Sequence, residues 1–174
     1  GALVEALGRA CRLAPGVPPA PMLANPANSV NDAVARLLKY KKDAVVARDR
    51  PAIAVERKYD GQRAAIHRTA SGEVRIFSRK NDDMTAKYPD VVEDVNAAAP
   101  RGVAFCLDAE IVPVGEDNKP LAFQELSSRK RENVDAATAR ETGRVRTALF
   151  DLLWLGAEDI TARPLVERRK ALKA

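Results

Sequence analysis

Glu56-Arg57-Lys58-Tyr59-Asp60-Gly61-Gln62-Arg63 is the stretch on which the reading of this chain turns. Ile53 to Arg57 alternates as a strand does, Asp60-Gly61 is a strong short-range hairpin signal, and Arg63 to Arg68 reads as the returning strand. Alternation would place Glu56 and Lys58 on one face, toward one pocket. A lysine at a strand end beside a tight turn suits a nucleophile. It attacks only as the neutral amine, a form that neighbouring cations favour, and Arg57, Arg63 and a bound metal are the candidates. Gly61 would let the backbone approach a phosphate closely, and Asp60 would fix the turn. The bland alternative is a surface hairpin whose turn happens to be Asp-Gly, because three fixed positions alone make only a hint.

The flanking sequence predicts an α+β fold of antiparallel strands interrupted by helices. Residues 3–13 have apolar residues at helical spacing and stop at Ala14-Pro15-Gly16, and the proline-rich run Val17 to Pro26 reads as an extended connector. Ser29 is a candidate N-cap for a helix to about Lys42 with Val30, Val34, Leu37 and Leu38 on one face. Ser71-Gly72 is the next turn and Glu73 to Ser78 a strand. Thr85 to Ala98 is expected to be helical, with Pro89 near its first turn. Val103 to Val112 and Val145 to Leu155 are expected as buried strands, Phe123 to about Arg131 as a helix followed by a polar stretch to Gly143, and Pro164 to Lys173 as a last helix.

Composition limits the function. The chain has 174 residues, 46% hydrophobic and 30% charged, enough for a core without staples. No stretch approaches the roughly 20 apolar residues of a spanning helix, the N-terminus shows no signal-peptide pattern, and no membrane partner is expected. Cys11 and Cys106 are too far apart for a metal-type pair and read as reduced thiols in an intracellular protein. The single histidine, His67, excludes multi-histidine zinc sites, and no catalytic role is assigned to it. There is no Walker loop and no G-x-G-x-x-G. A net charge of +5 fits a polyanionic partner without proving one.

Further segments follow in order: Ile76-Phe77-Ser78-Arg79, Phe105-Cys106-Leu107-Asp108-Ala109-Glu110 and Ala148-Leu149-Phe150-Asp151-Leu152-Leu153. With the lysine segment they resemble the motifs of the lysine-dependent nucleotidyltransferases, the superfamily of ATP-dependent DNA ligases, RNA ligases and capping enzymes, whose ligase fold is ATP-grasp-like. Pro21-Met22-Leu23-Ala24, Lys87-Tyr88-Pro89-Asp90 and Phe123-Gln124-Glu125-Leu126 with Arg129-Lys130-Arg131 resemble the replicative DNA ligases of eukaryotes and archaea. The resemblance covers about Leu13 to Leu172.

The resemblance implies a role for each matching residue. Lys58 would form a covalent lysyl-AMP from ATP, and Glu56 would recognise the adenine amino group. Arg63 and Arg79 would touch ribose or phosphate, Glu110 would hold the ribose hydroxyl or Mg²⁺, and Phe150 would stack on adenine. Asp108 is open to two roles, sharing the metal or anchoring an arginine or backbone groups. Arg129, Lys130 and Arg131 would grip phosphates of nicked double-stranded DNA, with a solvated helix end as the alternative. AMP would pass to a 5′-phosphate at a nick, which the 3′-hydroxyl then seals, in replication, repair or recombination.

Residues 1–14 are expected to be a remnant of an upstream DNA-binding domain, and residues 15–174 the N-terminal part of an adenylation domain. The family's later glutamate and paired-lysine motifs and its oligonucleotide-binding barrel do not appear in the sequence. The parent protein is expected to be monomeric and intracellular, with the nucleus favoured because Pro15-Gly16-Val17-Pro18 resembles eukaryotic replicative ligases, and cytoplasmic if archaeal or bacterial. Two alternatives stay open: an RNA ligase or capping-type enzyme, and a non-catalytic nucleic-acid-binding module of the same fold.

Overall fold

The computed structural model describes residues 13–19, 21–39, 54–129 and 134–174. The chain divides into two compact units, Pro21–Lys58 and a larger one made of Gly1–Ala20 with Tyr59–Ala174.

In the smaller unit, α1 (Val30–Lys39) starts where the sequence places its cap. The Ser29 hydroxyl accepts from the Asp32 N–H at 3.1 Å, and the Asp32 carboxylate accepts from the Asn28 N–H at 3.0 Å. These bonds satisfy amide groups that a helix start leaves open. Arg36 pairs with Asp32 one turn back at 2.8 Å. Val30, Val34 and Leu37 are exposed, so the expected inward stripe faces out among the described residues. Residues 54–60 form no strand and 54–58 are exposed, which removes the first arm of the expected hairpin; Ile53 lies outside the described residues.

In the larger unit, β1 (Gln62–Arg68), β2 (Val74–Phe77), β3 (Phe105–Pro113), β4 (Val145–Leu155) and β5 (Glu158–Asp159) form one antiparallel sheet in the order β2-β1-β3-β4-β5. The Thr69–Gly72 turn joins β1 to β2 through a Gly72 N–H to Thr69 carbonyl bond of 3.0 Å, and Gly72 takes φ +95°. One sheet face builds the core from Ala64, Ile66, Ile76, Leu107, Ala109 and Ile111. Against it pack Tyr88 and Val91 at the start of α2 (Pro89–Ala98).

Pro89 opens α2 as its first residue, where a missing N–H costs nothing, so the expected Thr85–Ala98 helix is divided. Thr85–Lys87 forms a separate 3-10 turn. Phe123–Ser127 is likewise a 3-10 turn rather than an α-helix, and residues 130–133 lie outside the described part. The stretch expected to be irregular contains α3 (Ala136–Thr142), capped by the Asp135 carboxylate on the Thr138 N–H at 2.8 Å. The last helix, α4 (Leu165–Lys173), packs on β4.

Candidate active site

The pairing register of β1 and β3 assembles the site. Arg63 lies directly across from Glu110, and Ala65 from Asp108, so Arg63, Asp108 and Glu110 share the sheet face away from the core. The Arg63 guanidinium grips Asp108 with both edges, Nε to Oδ1 at 2.5 Å and a second bond from Nη2 to Oδ2. It also lies over the Phe150 ring, 5.1 Å from its centroid. Glu110 faces Ala148 on its other side. The structure therefore brings Arg63, Glu110 and Phe150 together and gives Asp108 the arginine-anchoring role.

Burial pushes the Asp108 carboxyl above its ordinary range. The bonds from Arg63 oppose that shift, and the nearby Asp151 carboxylate adds to it. Asp151, opposite Asp108 on β4, is itself neutralised by a bidentate pair with Arg168 at 2.8 and 2.6 Å. Three strands and α4 thus carry alternating charge, Arg63–Asp108 beside Asp151–Arg168.

Gly61 and Gln62, the two residues after Asp60, each have a defined seat. A Cβ on Gly61 would come within 2.9 Å of the Glu110 Cγ and closer still to the Ile111 carbonyl oxygen. The glycine is there for clearance against β3, and its φ is not in the left-handed range that hairpin turns demand. The Gln62 side-chain oxygen accepts from the Tyr88 hydroxyl at 2.6 Å and from Lys87 Nζ at 3.2 Å. Tyr88 is fully buried, and its phenol is raised by that burial. Lys87-Tyr88 resembles a family segment in sequence, but no sequence signal marks its polar contact with Gln62 of the lysine motif.

Lys58 and Glu56 are exposed in the smaller unit, and Lys58 is its final residue. Arg79 stands exposed in the turn after β2. Arg129, expected to grip DNA phosphates with a solvated helix end as the alternative, is buried. It is 3% exposed, its Nη2 lies 2.5 Å from Asp90 Oδ1, and its guanidinium sits 5.0 Å from the Tyr88 ring centroid. The contact with Asp90 is close enough for an ion pair but not aligned as a hydrogen bond, and Nε and Nη1 have no partner among the described residues. Among the described residues its guanidinium is thus enclosed between Asp90 and Tyr88. Lys130 and Arg131 lie outside the described residues.

His67 is buried on the site face of the sheet. Its Nδ1 accepts from the Gly16 N–H at 3.0 Å, and its ring meets Phe77 edge-on at 5.2 Å. Burial lowers its pKa to about 4, so the ring is neutral near pH 7. Among the described residues no group of three histidine, cysteine or acidic side chains could hold a metal ion. No described helix is long and apolar enough to cross a membrane.

The known proteins that this chain resembles bear on the same residues. DNA ligase 6 of Arabidopsis thaliana is 39% identical over 166 residues, covering 92% of this chain and 11% of that protein. DNA ligase 1 of Schizosaccharomyces pombe is 36% identical, over 95% of this chain and 20% of that protein. A DNA ligase of Pyrobaculum neutrophilum is 41% identical, over 92% and 25%. The chain thus spans between about a tenth and a quarter of the length of these relatives. Among solved structures, the mycobacterial DNA ligase D complexed with ATP and MES matches 68% of this chain and 35% of its own, with a TM-score of 0.51 and 29% identity. The profile of the family described as "ATP dependent DNA ligase domain" matches residues 21–174, from before Glu56 to beyond Arg169. On that match and the sheet that carries its motifs, the chain belongs to the ATP-dependent DNA ligase domain family.

Proposed function

We propose that the protein containing this chain seals nicks in double-stranded DNA through a lysyl-AMP intermediate at Lys58, in replication or repair. The observation that carries this reading is the Arg63–Asp108 grip against the Phe150 ring, with Arg63 five residues downstream of Lys58. A cation and an aromatic face held together suit a purine nucleotide, the ring offering a stacking surface and the guanidinium hydrogen bonds to ribose or phosphate.

In the first step the neutral Lys58 amine attacks the α-phosphorus of ATP in line. The N–P bond forms as the bond from that phosphorus to the bridging oxygen breaks, pyrophosphate leaves with the electron pair, and the amine's proton goes to solvent. Arg63 and Arg79 offset charge on the phosphates, Glu110 accepts from the ribose hydroxyl, and Glu56 accepts from the adenine amino group. In the next step a DNA 5′-phosphate oxygen displaces Lys58 from the AMP phosphorus. The 3′-hydroxyl then attacks the 5′-phosphorus, and AMP departs.

Mg²⁺, when bound, neutralises phosphate charge. Glu110 offers one carboxylate for it, and with Asp108 and Asp151 both held by arginines the described residues do not complete a metal centre by themselves. Lys130 and Arg131 are proposed for DNA phosphates, without Arg129. We place the protein in the nucleus of a eukaryote on the resemblance of Pro15-Gly16-Val17-Pro18 to eukaryotic replicative ligases, and propose that it acts as a monomer.

Intact mass before and after incubation with ATP and Mg²⁺, beside Lys58→Ala, tests the reading. Gain of one AMP, absent in the variant and reversed by pyrophosphate, is expected of a chain carrying the family's later motifs. Failure of that longer chain to gain the adduct would overturn the ligase reading, and a GMP adduct in its place would favour a capping-type enzyme.

A further inference from the structure

We infer that Arg168 and Arg169, consecutive on α4, are positioning residues that set the Phe150 ring for the nucleotide base. The inference rests on Phe150 being the stacking platform proposed above.

The register of β4 is where the need arises. Asp108 faces Asp151 while Ala109 faces Leu149, so Phe150 is an extra residue, bulged out of the ladder. A bulge aims a side chain at the cost of an unpaired backbone group and a locally loose strand. Arg169 answers the first difficulty, because its Nε donates to the Phe150 carbonyl at 3.0 Å. Arg168 answers the second. Two carboxylates directly opposite each other, Asp108 and Asp151, would push β3 and β4 apart where Phe150 is presented. The bidentate Arg168 pair neutralises Asp151, leaving Asp108 to hold Arg63 over the ring.

Arg168 is itself anchored, since its Nη1 donates to the carbonyl of Arg163 at 2.5 Å, and its side chain is only 14% exposed. Arginines on a helix that merely covers a sheet normally keep their heads in water. Here two neighbouring guanidinium groups turn onto the two residues that make the bulge.

The alternative, that these arginines only dock α4, predicts a different coupling to Phe150. The test is equilibrium dialysis of the chain extended through the family's later motifs with α,β-methylene ATP, which binds without transferring AMP. It compares wild type, Arg169→Met, Phe150→Ala and the double variant, with melting temperatures alongside. Arg169→Met should weaken binding about fivefold to tenfold in the wild-type background and not further once Phe150 is gone. Arg168→Lys, which keeps charge but loses the fork, should reproduce part of that loss at an unchanged melting temperature.

Additive losses in the double variant, or no loss in Arg169→Met, would overturn the positioning role while leaving the nucleotide reading intact. Wild-type binding by Phe150→Ala would remove the platform, and the arginines' role with it. If the wild-type chain did not take up the analogue at all, the nucleotide reading of this site would fail first and this inference would fall with it.

Discussion

Gly61 lies so close to β3 that a side-chain carbon there would overlap the carbonyl oxygen of Ile111. The obstacle is backbone in the centre of a sheet, which cannot swing aside as a flexible side chain can. Gly61→Ala is therefore expected to cost about 1–3 kcal/mol, read as a lower midpoint in urea melts. A midpoint equal to wild type would show that β1 can move off β3 freely.

The buried pair of Arg129 and Asp90 yields a prediction whose sign depends on how it is broken. Arg129→Ala leaves the Asp90 carboxylate enclosed without its cation, at a cost of about 3–5 kcal/mol. Replacing both together, Arg129→Met with Asp90→Leu, should recover most of that loss. Equilibrium unfolding of the single and double variants checks both. Recovery of nothing would mean that Arg129 acts through the Tyr88 ring instead.

His67 makes stability depend on pH. Its folded pKa, about 4, lies below the ordinary histidine value of 6.5, so the unfolded chain binds the extra proton between those limits. Stability is then fully present above pH 6.5 and falls as pH drops toward 4, by at most about 3 kcal/mol. His67→Asn keeps an acceptor for the Gly16 N–H and removes the titration. Urea midpoints at pH 7 and pH 4.5 should converge in that variant, and an unchanged pH slope would assign the effect elsewhere.

Cys106, opposite His67 on β3, is fully buried, and burial pushes its thiol up to about 12. Only the thiolate reacts with alkylating agents. Iodoacetamide at pH 8 should leave the Cys106 peptide unlabelled in the native chain and label it in urea. Peptide mass mapping distinguishes this site from Cys11, and native labelling at Cys106 would show that β3 opens locally.

The strands with strong apolar runs were legible because their own composition decides them. Val145 to Leu155 is observed with the expected limits, and Phe105–Pro113 lies within two residues of expectation. The stretch before Asp60 misled because alternation is a strand signal only where a neighbouring strand supplies the ladder, and residues 54–60 have none. The seven-residue α3 shows its apolar side only through Ala136 and Ala139, too weak a stripe for periodicity, although Asp135 and Gly143 are readable caps. Lys58, Arg63, Glu110 and Phe150 could be named because motifs mark them. Their supporting partners could not. Asp108 is 45 residues from Arg63, and Arg168 is 17 from Asp151, distances that only the folded register closes. For Arg129 a basic cluster looks the same in sequence whether its members meet solvent or one of them turns inward.

The ladder between β1 and β3 joins residues roughly 40 positions apart, and that between β3 and β4 spans a similar separation. Pairings so distant close slowly, since each must overcome the entropy of a long loop before any contact rewards it. Arg63, Glu110 and Phe150, three of the groups proposed to meet a nucleotide, lie one on each of these strands, so they are in register only when the slowest part of the fold is complete. A molecule that bound all of them at once would act as a fourth connection among β1, β3 and β4 and draw the folding equilibrium toward the assembled sheet.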